Sequence, residues 1–207
     1  MSQAQIIIEF LRFSEQLKTQ LRDIKLPGWR MESVAEHSWQ LTLLLLLVYP
    51  SLTNKVDLLK ALKIALIHDL AEAETWDIPY IESHNYPQLK LQKVEQEKQV
   101  IEKIWKLLGV VGNEIIELYE EYEKRETFES KLVKALDCLE ANYQSLSFWD
   151  IDWWHEWYFD IVLTKSDKHC IHEEILGQLN DEINRLTEIK MRKIWLDVDA
   201  IKRKNKK

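Results

Sequence analysis

Residues 56–73 read VDLLKALKIALIHDLAEA, and residues 38–49 read SWQLTLLLLLVY. Both segments carry apolar side chains around most of a 3.6-residue turn, which predicts central helices surrounded by others. Working outward, Ile6, Ile7, Phe10, Leu11, Phe13, Leu17 and Leu21 form one helical stripe, ended by Leu26-Pro27-Gly28. A helix is predicted to begin at Ser33, with Glu36 three residues later as its capping-box partner, and to stop before Pro50. The third helix is expected over about 56–73. Further helices are expected over 88–108, 113–124, 128–148 and 167–189, with a weaker one over 190–201. The chain of 207 residues holds only four Gly and four Pro, too few for the tight turns of an all-β protein. The expected fold is therefore all-α, a single-domain helical bundle spanning 1–207 without repeats or linkers.

Charge and cysteine usage exclude several classes. The formal net charge is −7, and the last seven residues, IKRKNKK, hold five positive charges, so residues 1–200 carry −12. An acidic body is a poor binder of duplex nucleic acid, and the basic tail over 201–207 reads as a solvated terminus. Cys138 and Cys170 are too few for a disulfide scaffold or a CxxC zinc site, which points to a reducing, cytoplasmic setting. The longest apolar run, Leu41–Tyr49, is about half of what spans a bilayer, and Met1–Gln20 lacks a signal-peptide pattern. No membrane partner is expected.

Six histidines are the groups able to change charge near neutral pH. Two of them, His37 and His68, fall on the most apolar helices, and Asp69 follows His68 directly. Burying them unpaired would cost several kcal/mol each, to order of magnitude, and a metal ion would supply the pairing. Asp137, in the Leu-rich helix KLVKALDCLEANY, is the fourth group of suitable type, although Lys134 or Lys131 could pair with it instead. Adjacent residues on a helix diverge by roughly 100°, so His68 and Asp69 can share an ion only at the helix surface between them. Two imidazoles and two carboxylates suit an intermediate divalent ion such as Mn, Co, Fe or Zn and leave positions for water and substrate. Glu72 lies on the same face one turn after His68 and Asp69, placed to take a proton from water activated by such an ion. Asp77 follows in the loop TWDIPY, where a carboxylate can bind substrate hydroxyls. His84, His155, His169 and His172 read as surface or interface residues.

The segments ESVAEHSW (32–39), HDLAEAETWDI (68–78) and ESKLVKALDCLEA (129–141) resemble the HD-domain metal-dependent phosphohydrolases. They are most similar to the branch holding the bacterial 5'-deoxynucleotidases and the eukaryotic HD-domain-containing protein 2. The resemblance covers about residues 5–145. It implies that His37, His68, Asp69 and Asp137 bind one divalent metal (Mn, Co, Fe, Zn or Mg), that Glu72 is catalytic, and that Asp77 contacts the substrate sugar. It also implies a phosphate-binding arginine fifteen residues before the first metal histidine, where Arg22 stands. Relatives carry Arg-Xaa-Gly-Trp ahead of the first motif, whereas this chain has Leu26-Pro27-Gly28-Trp29, so Arg22 or Arg30, with Trp29 nearby, must serve the substrate. Asp23 replaces the aromatic with which the bacterial enzymes test for a 2'-hydroxyl, and Trp76-Asp77 replaces a Gly-Asp pair. Two-metal relatives insert additional histidines before the last aspartate; between Asp69 and Asp137 this chain has only His84.

The expected activity is removal of phosphate from (deoxy)nucleoside 5'-monophosphates. The alternatives are action on another phosphate ester, such as a nucleoside triphosphate or cyclic nucleotide, and a metal-containing scaffold with weak or no catalysis. The second would assemble through the Trp-rich segment 148–160, which carries seven aromatics between Phe148 and Phe159 and lies outside the family motifs. That segment also suggests a homodimer seam.

Overall fold

In a computed structural model the chain is described over residues 1–75, 86–147, 164–193 and 196–205. Helix α1 (Gln3–Ser14) opens on Ser2, whose hydroxyl accepts from the Gln5 amide in a capping box. It gives way to a 3-10 turn over Glu15–Lys18, short of the Leu21 reached by the apolar stripe. The chain then forms a small antiparallel hairpin of β1 (Leu21–Lys25) and β2 (Met31–Ser33), which the scarcity of turn residues had disfavoured. Two turn residues suffice for one hairpin: Gly28 and Trp29 adopt positive φ of 93° and 73°, and the Leu26 amide closes the turn onto the Arg30 carbonyl at 2.8 Å.

Helix α2 (Val34–Val48) starts where the capping box predicts. The Glu36 amide donates to Ser33 Oγ at 3.3 Å, and the Ser33 amide donates to Glu36 Oε2 at 2.9 Å. Helix α3 (Leu58–Ile67) is capped by Asp57 and is shorter than the sequence suggests. It stops at His68; Asp69 leaves the helical region at φ −104°, ψ 18°, and Leu70–Ala73 form a 3-10 turn. The apolar pattern continues through this break because the turn buries Leu70, Ala71 and Ala73 in a core of their own.

The remaining helices are α4 (Pro87–Leu108), α5 (Asn113–Lys124), α6 (Phe128–Ser147), α7 (Glu174–Lys193) and α8 (Val198–Asn205). Helix α7 begins later than predicted, after turns at 165–169 and a 3-10 segment over Cys170–His172. The architecture is all-α apart from the hairpin. Helices α2, α3 and α6 pack on one another, with α5 against α3 and α6, and α7 against α6. Leu41, Leu45, Ile64, Leu132, Leu136, Leu139 and Leu176 fill the main core, each fully buried. A second core joins Leu17, Val34 and Leu70 to Val100, Ile104 and Tyr119. Helix α2 is not enclosed on all sides as its composition implied. Leu41, Leu45 and Val48 are buried, whereas Trp39, Leu43, Leu46 and Leu47 are 41–69% exposed.

Candidate active site

The three helices of the main core bring four side chains to one point. His37, one turn into α2, is fully buried, and its Nε2 lies 3.3 Å from His68 Nε2 at the end of α3. Asp69 Oδ2 is 3.1 Å from His68 Nε2 and 3.7 Å from His37 Nε2. Asp137 Oδ1, from α6, is 3.3 Å from His37 Nε2. The break after Ile67 makes this convergence possible. On a continued helix His68 and Asp69 would point apart, whereas the turn at Asp69 folds its carboxylate back beside the His68 ring.

The outward-facing atoms of these side chains have partners. His68 Nδ1 is 2.9 Å from the Ala65 carbonyl, which can only accept, so Nδ1 carries a proton and Nε2 is the nitrogen that faces inward. His37 Nδ1 meets Glu140 Oε2 in a short hydrogen bond. Asp137 Oδ2 accepts from Tyr122 at 3.1 Å and from Lys134 at 2.6 Å, leaving Oδ1 for the cluster. Tyr122 also packs edge-on against the His68 ring, centroid to centroid 5.3 Å, and burial holds its phenol well above its usual pKa, as a donor. The pairing with Lys134 weighed from sequence is thus real, but it occupies only one oxygen of Asp137.

Electrostatics reflect the crowding of donors. Burial and Arg22 pull the His37 imidazolium down, yet hydrogen bonds to Asp137 and Glu140 outweigh them and lift its pKa to about 9. Burial alone would raise Asp69, but His68 and then His37 hold it well below the ordinary carboxylate range. Asp137 is held low in the same way against its burial, chiefly by Lys134. Nε2 of His37, Nε2 of His68 and a carboxylate oxygen of Asp69 lie within 4.8 Å of one another, with Asp137 Oδ1 alongside. An ion that displaced the Nε2 proton of His37 would meet inward lone pairs, capped outward atoms and a mixed nitrogen and oxygen donor set, as a divalent transition ion requires.

Around this cluster, Glu72 is buried on the 3-10 turn and accepts from Lys93 of α4 at 2.6 Å. Lys93 also lies 3.6 Å from Glu97. Arg22, on β1, reaches inward with its side chain 12% exposed, Nε 3.6 Å from Glu32 and one terminal nitrogen 4.0 Å from Glu140. Arg30 lies on the surface instead, donating to Glu36 at 2.7 Å, and Trp29 is 68% exposed with Lys25 Nζ 5.4 Å from its ring centroid. Asp77, Trp76, His84 and the Trp-rich segment 148–160 lie outside the described residues. His169 and His172 are half-buried, and Cys138 and Cys170 are free thiols. Sequence reasoning missed Lys93, Glu32 and Glu140. For Glu140 a signal existed, since it lies three residues after Asp137 on the same helix face; for Lys93, on a charged helix, none did.

The family model for the HD domain matches residues 14–180. This chain belongs to the HD-domain family. The match continues past Ser147, where the motifs read from sequence stop. This HD-domain protein is 32% identical over 186 residues to the zebrafish protein named 5'-deoxynucleotidase HDDC2, across 85% of this chain and 87% of that one. The human protein of the same name is 31% identical over 156 residues, across 72% and 71%. The fission yeast protein named 5'-deoxynucleotidase hdd1 is 31% identical over 149 residues, across 69% and 72%. The HD-domain fold also matches a solved structure from Magnetospirillum magnetotacticum described as a predicted metal-dependent phosphohydrolase. The TM-score is 0.73 at 24% identity, over 95% of this chain and 99% of that one, a likeness of fold alone. A conserved hypothetical protein from Pyrococcus furiosus matches at TM-score 0.62 and 30% identity, over 87% and 99%.

Proposed function

We propose that this protein is a phosphohydrolase that removes phosphate from (deoxy)nucleoside 5'-monophosphates, using one divalent ion held by His37, His68, Asp69 and Asp137. The observation that carries the reading is the convergence of four donors from three helices, with outer atoms tied to Glu140, Ala65, Tyr122 and Lys134. The names of the relatives across animals and fungi support the substrate class.

A divalent ion in this donor set supplies Lewis acidity for a phosphoryl oxygen and makes a nearby water more acidic. Glu72 accepts the proton of the attacking water, its carboxylate held in place by the ion pair with Lys93. The water oxygen bonds to phosphorus as the ester P–O5' bond breaks, and the proton taken by Glu72 passes to the departing O5', releasing nucleoside and orthophosphate. Arg22 is assigned to the phosphate by its place fifteen residues before His37, whereas Arg30 is engaged with Glu36 on the surface. Asp77 takes the sugar, an assignment that rests on its place in the sequence motif.

The same reading treats the chain as one HD-type domain over 1–207, cytoplasmic, as its two free thiols favour, and homodimeric. The exposed stripe of Trp39, Leu43, Leu46 and Leu47 on α2 supports the dimer. No described helix is long and apolar enough to cross a membrane.

The test is phosphate release from a panel of nucleoside monophosphates with Mn²⁺ or Co²⁺ added. His68→Ala or Asp69→Ala should lose more than about a thousandfold in kcat/KM, because the several kcal/mol that a metal supplies correspond to about tenfold per 1.4 kcal/mol. Parental rates in either variant would refute the metal assignment. Pyrophosphate or tripolyphosphate as product from a triphosphate would move the substrate class.

A further inference from the structure

Behind His37, on the side away from the other ligands, three polar side chains from three elements meet. Glu140 on α6 is 1% exposed, Glu32 on β2 is fully buried, and Arg22 on β1 reaches between them. Carboxylates buried this deeply are costly unless paired, and one guanidinium faces two of them. The side chain that meets this trio is the His37 imidazole, through Nδ1 and Glu140 Oε2.

A neutral imidazole has one N–H and one lone pair. A carboxylate at Nδ1 selects the tautomer with its proton there, leaves the lone pair on Nε2 and makes that nitrogen a stronger donor. Nε2 of His37 is the atom that lies 3.3 Å from both His68 Nε2 and Asp137 Oδ1. We propose that Glu140 is a positioning residue of the metal centre. Its carboxylate accepts from His37 Nδ1–H, fixing the tautomer and the ring plane, with the Arg22 guanidinium lying between Glu140 and Glu32. Helix α6 thereby supplies both a ligand, Asp137, and, one turn later, the group that aims a ligand on α2. The inference rests on the metal-centre reading above and extends it to a residue outside the donor set.

The experiment measures the Co²⁺ and Zn²⁺ affinity of the metal-stripped full chain by competition with a chromophoric chelator, alongside thermal melts of the stripped proteins. Glu140→Leu removes the acceptor and leaves Arg22 and Glu32 as a one-to-one pair, so the fold has reason to survive. Its affinity should fall about 10–100-fold, with Glu140→Gln falling less because an amide oxygen can still accept from Nδ1–H. Glu32→Gln leaves the contact between His37 and Glu140 in place and should stay within about threefold of the parent even if its melting temperature drops. Glu140→Leu binding within about threefold of the parent would overturn the proposal, as would an equal loss in Glu32→Gln, which marks a structural role. If Glu140→Leu fails to fold, the zinc-loaded parent decides by nitrogen-edited NMR. A slowly exchanging, downfield His37 Nδ1–H resonance is expected, and its absence refutes the assignment. A parent that binds neither ion would instead overturn the metal-centre reading itself.

Discussion

Glu72 and Lys93 form the contact on which the proposed proton transfer turns. Lys93 Nζ donates to Glu72 Oε1 at 2.6 Å from a different helix, so the carboxylate is oriented by a group that no motif contains. Glu72→Gln should lower kcat about 10²–10⁴-fold, the range for a general base, while leaving metal affinity at the parental value. Steady-state kinetics together with chelator competition check both halves. If Glu72→Gln lost its metal as well, the residue would belong to the binding set. The converging histidines and aspartates were legible at this scale because such residues on apolar helices need partners. Lys93 and Glu140 were not, because a charged residue on an amphipathic helix reads as solvated until the opposing helix is known.

At the scale of elements, caps and clamps set where the ligands stand. The Ser33 cap fixes the start of α2 one turn before His37. Ser33→Ala should cost about 1 kcal/mol, lowering the melting temperature by about 2–4 °C for a domain of this size, as calorimetry would show. Glu173, just ahead of α7, clamps the segment after α2. Its carboxylate accepts from the Thr53 amide at 2.9 Å, Thr53 Oγ1 at 2.8 Å, the Asn54 amide at 2.8 Å and Asn54 Nδ2 at 2.7 Å. Burial opposes ionisation, but these donors win and depress its pKa from 4.5 to about 2. A folded pKa below the unfolded one stabilises the protein fully above about pH 4.5, and that stability fades as pH falls towards 2. Glu173→Gln should therefore destabilise by about 2 kcal/mol at neutral pH, the size of hydrogen bonds to a charged group. In denaturant melts across pH the gap from the parent should narrow on acidification; a gap independent of pH would mean that the charge is not what the clamp uses. The capping box at Ser33 and Glu36 could be read from the sequence because it is local. The end of α3 could not, since Leu70 and Ala71 continue the apolar pattern while serving a second core.

At the scale of the whole molecule, the bundle leaves one face of α2 apolar and open. Leu47, 69% exposed, ends a stripe begun by Trp39, Leu43 and Leu46. Leu47→Lys should convert a dimer to monomer in light scattering with little change in melting temperature of the monomer, since an exposed substitution alters folding stability by only about 0.5 kcal/mol. An unchanged mass would remove α2 from the interface. The helical class, the cap of α2 and the choice of His37, His68, Asp69 and Asp137 as groups needing partners could be read from the sequence alone, because periodicity, capping and the need to pair buried polar groups are written in the residues themselves. Tertiary structure decided the rest. It ended α3 at His68 so that adjacent residues face one point, turned Leu21–Lys25 into a strand that carries Arg22 inward, and set Lys93 and Glu140 against Glu72 and His37. Each of these depends on a partner distant in the chain, and energies that arise only between packed elements leave no period in the sequence to read.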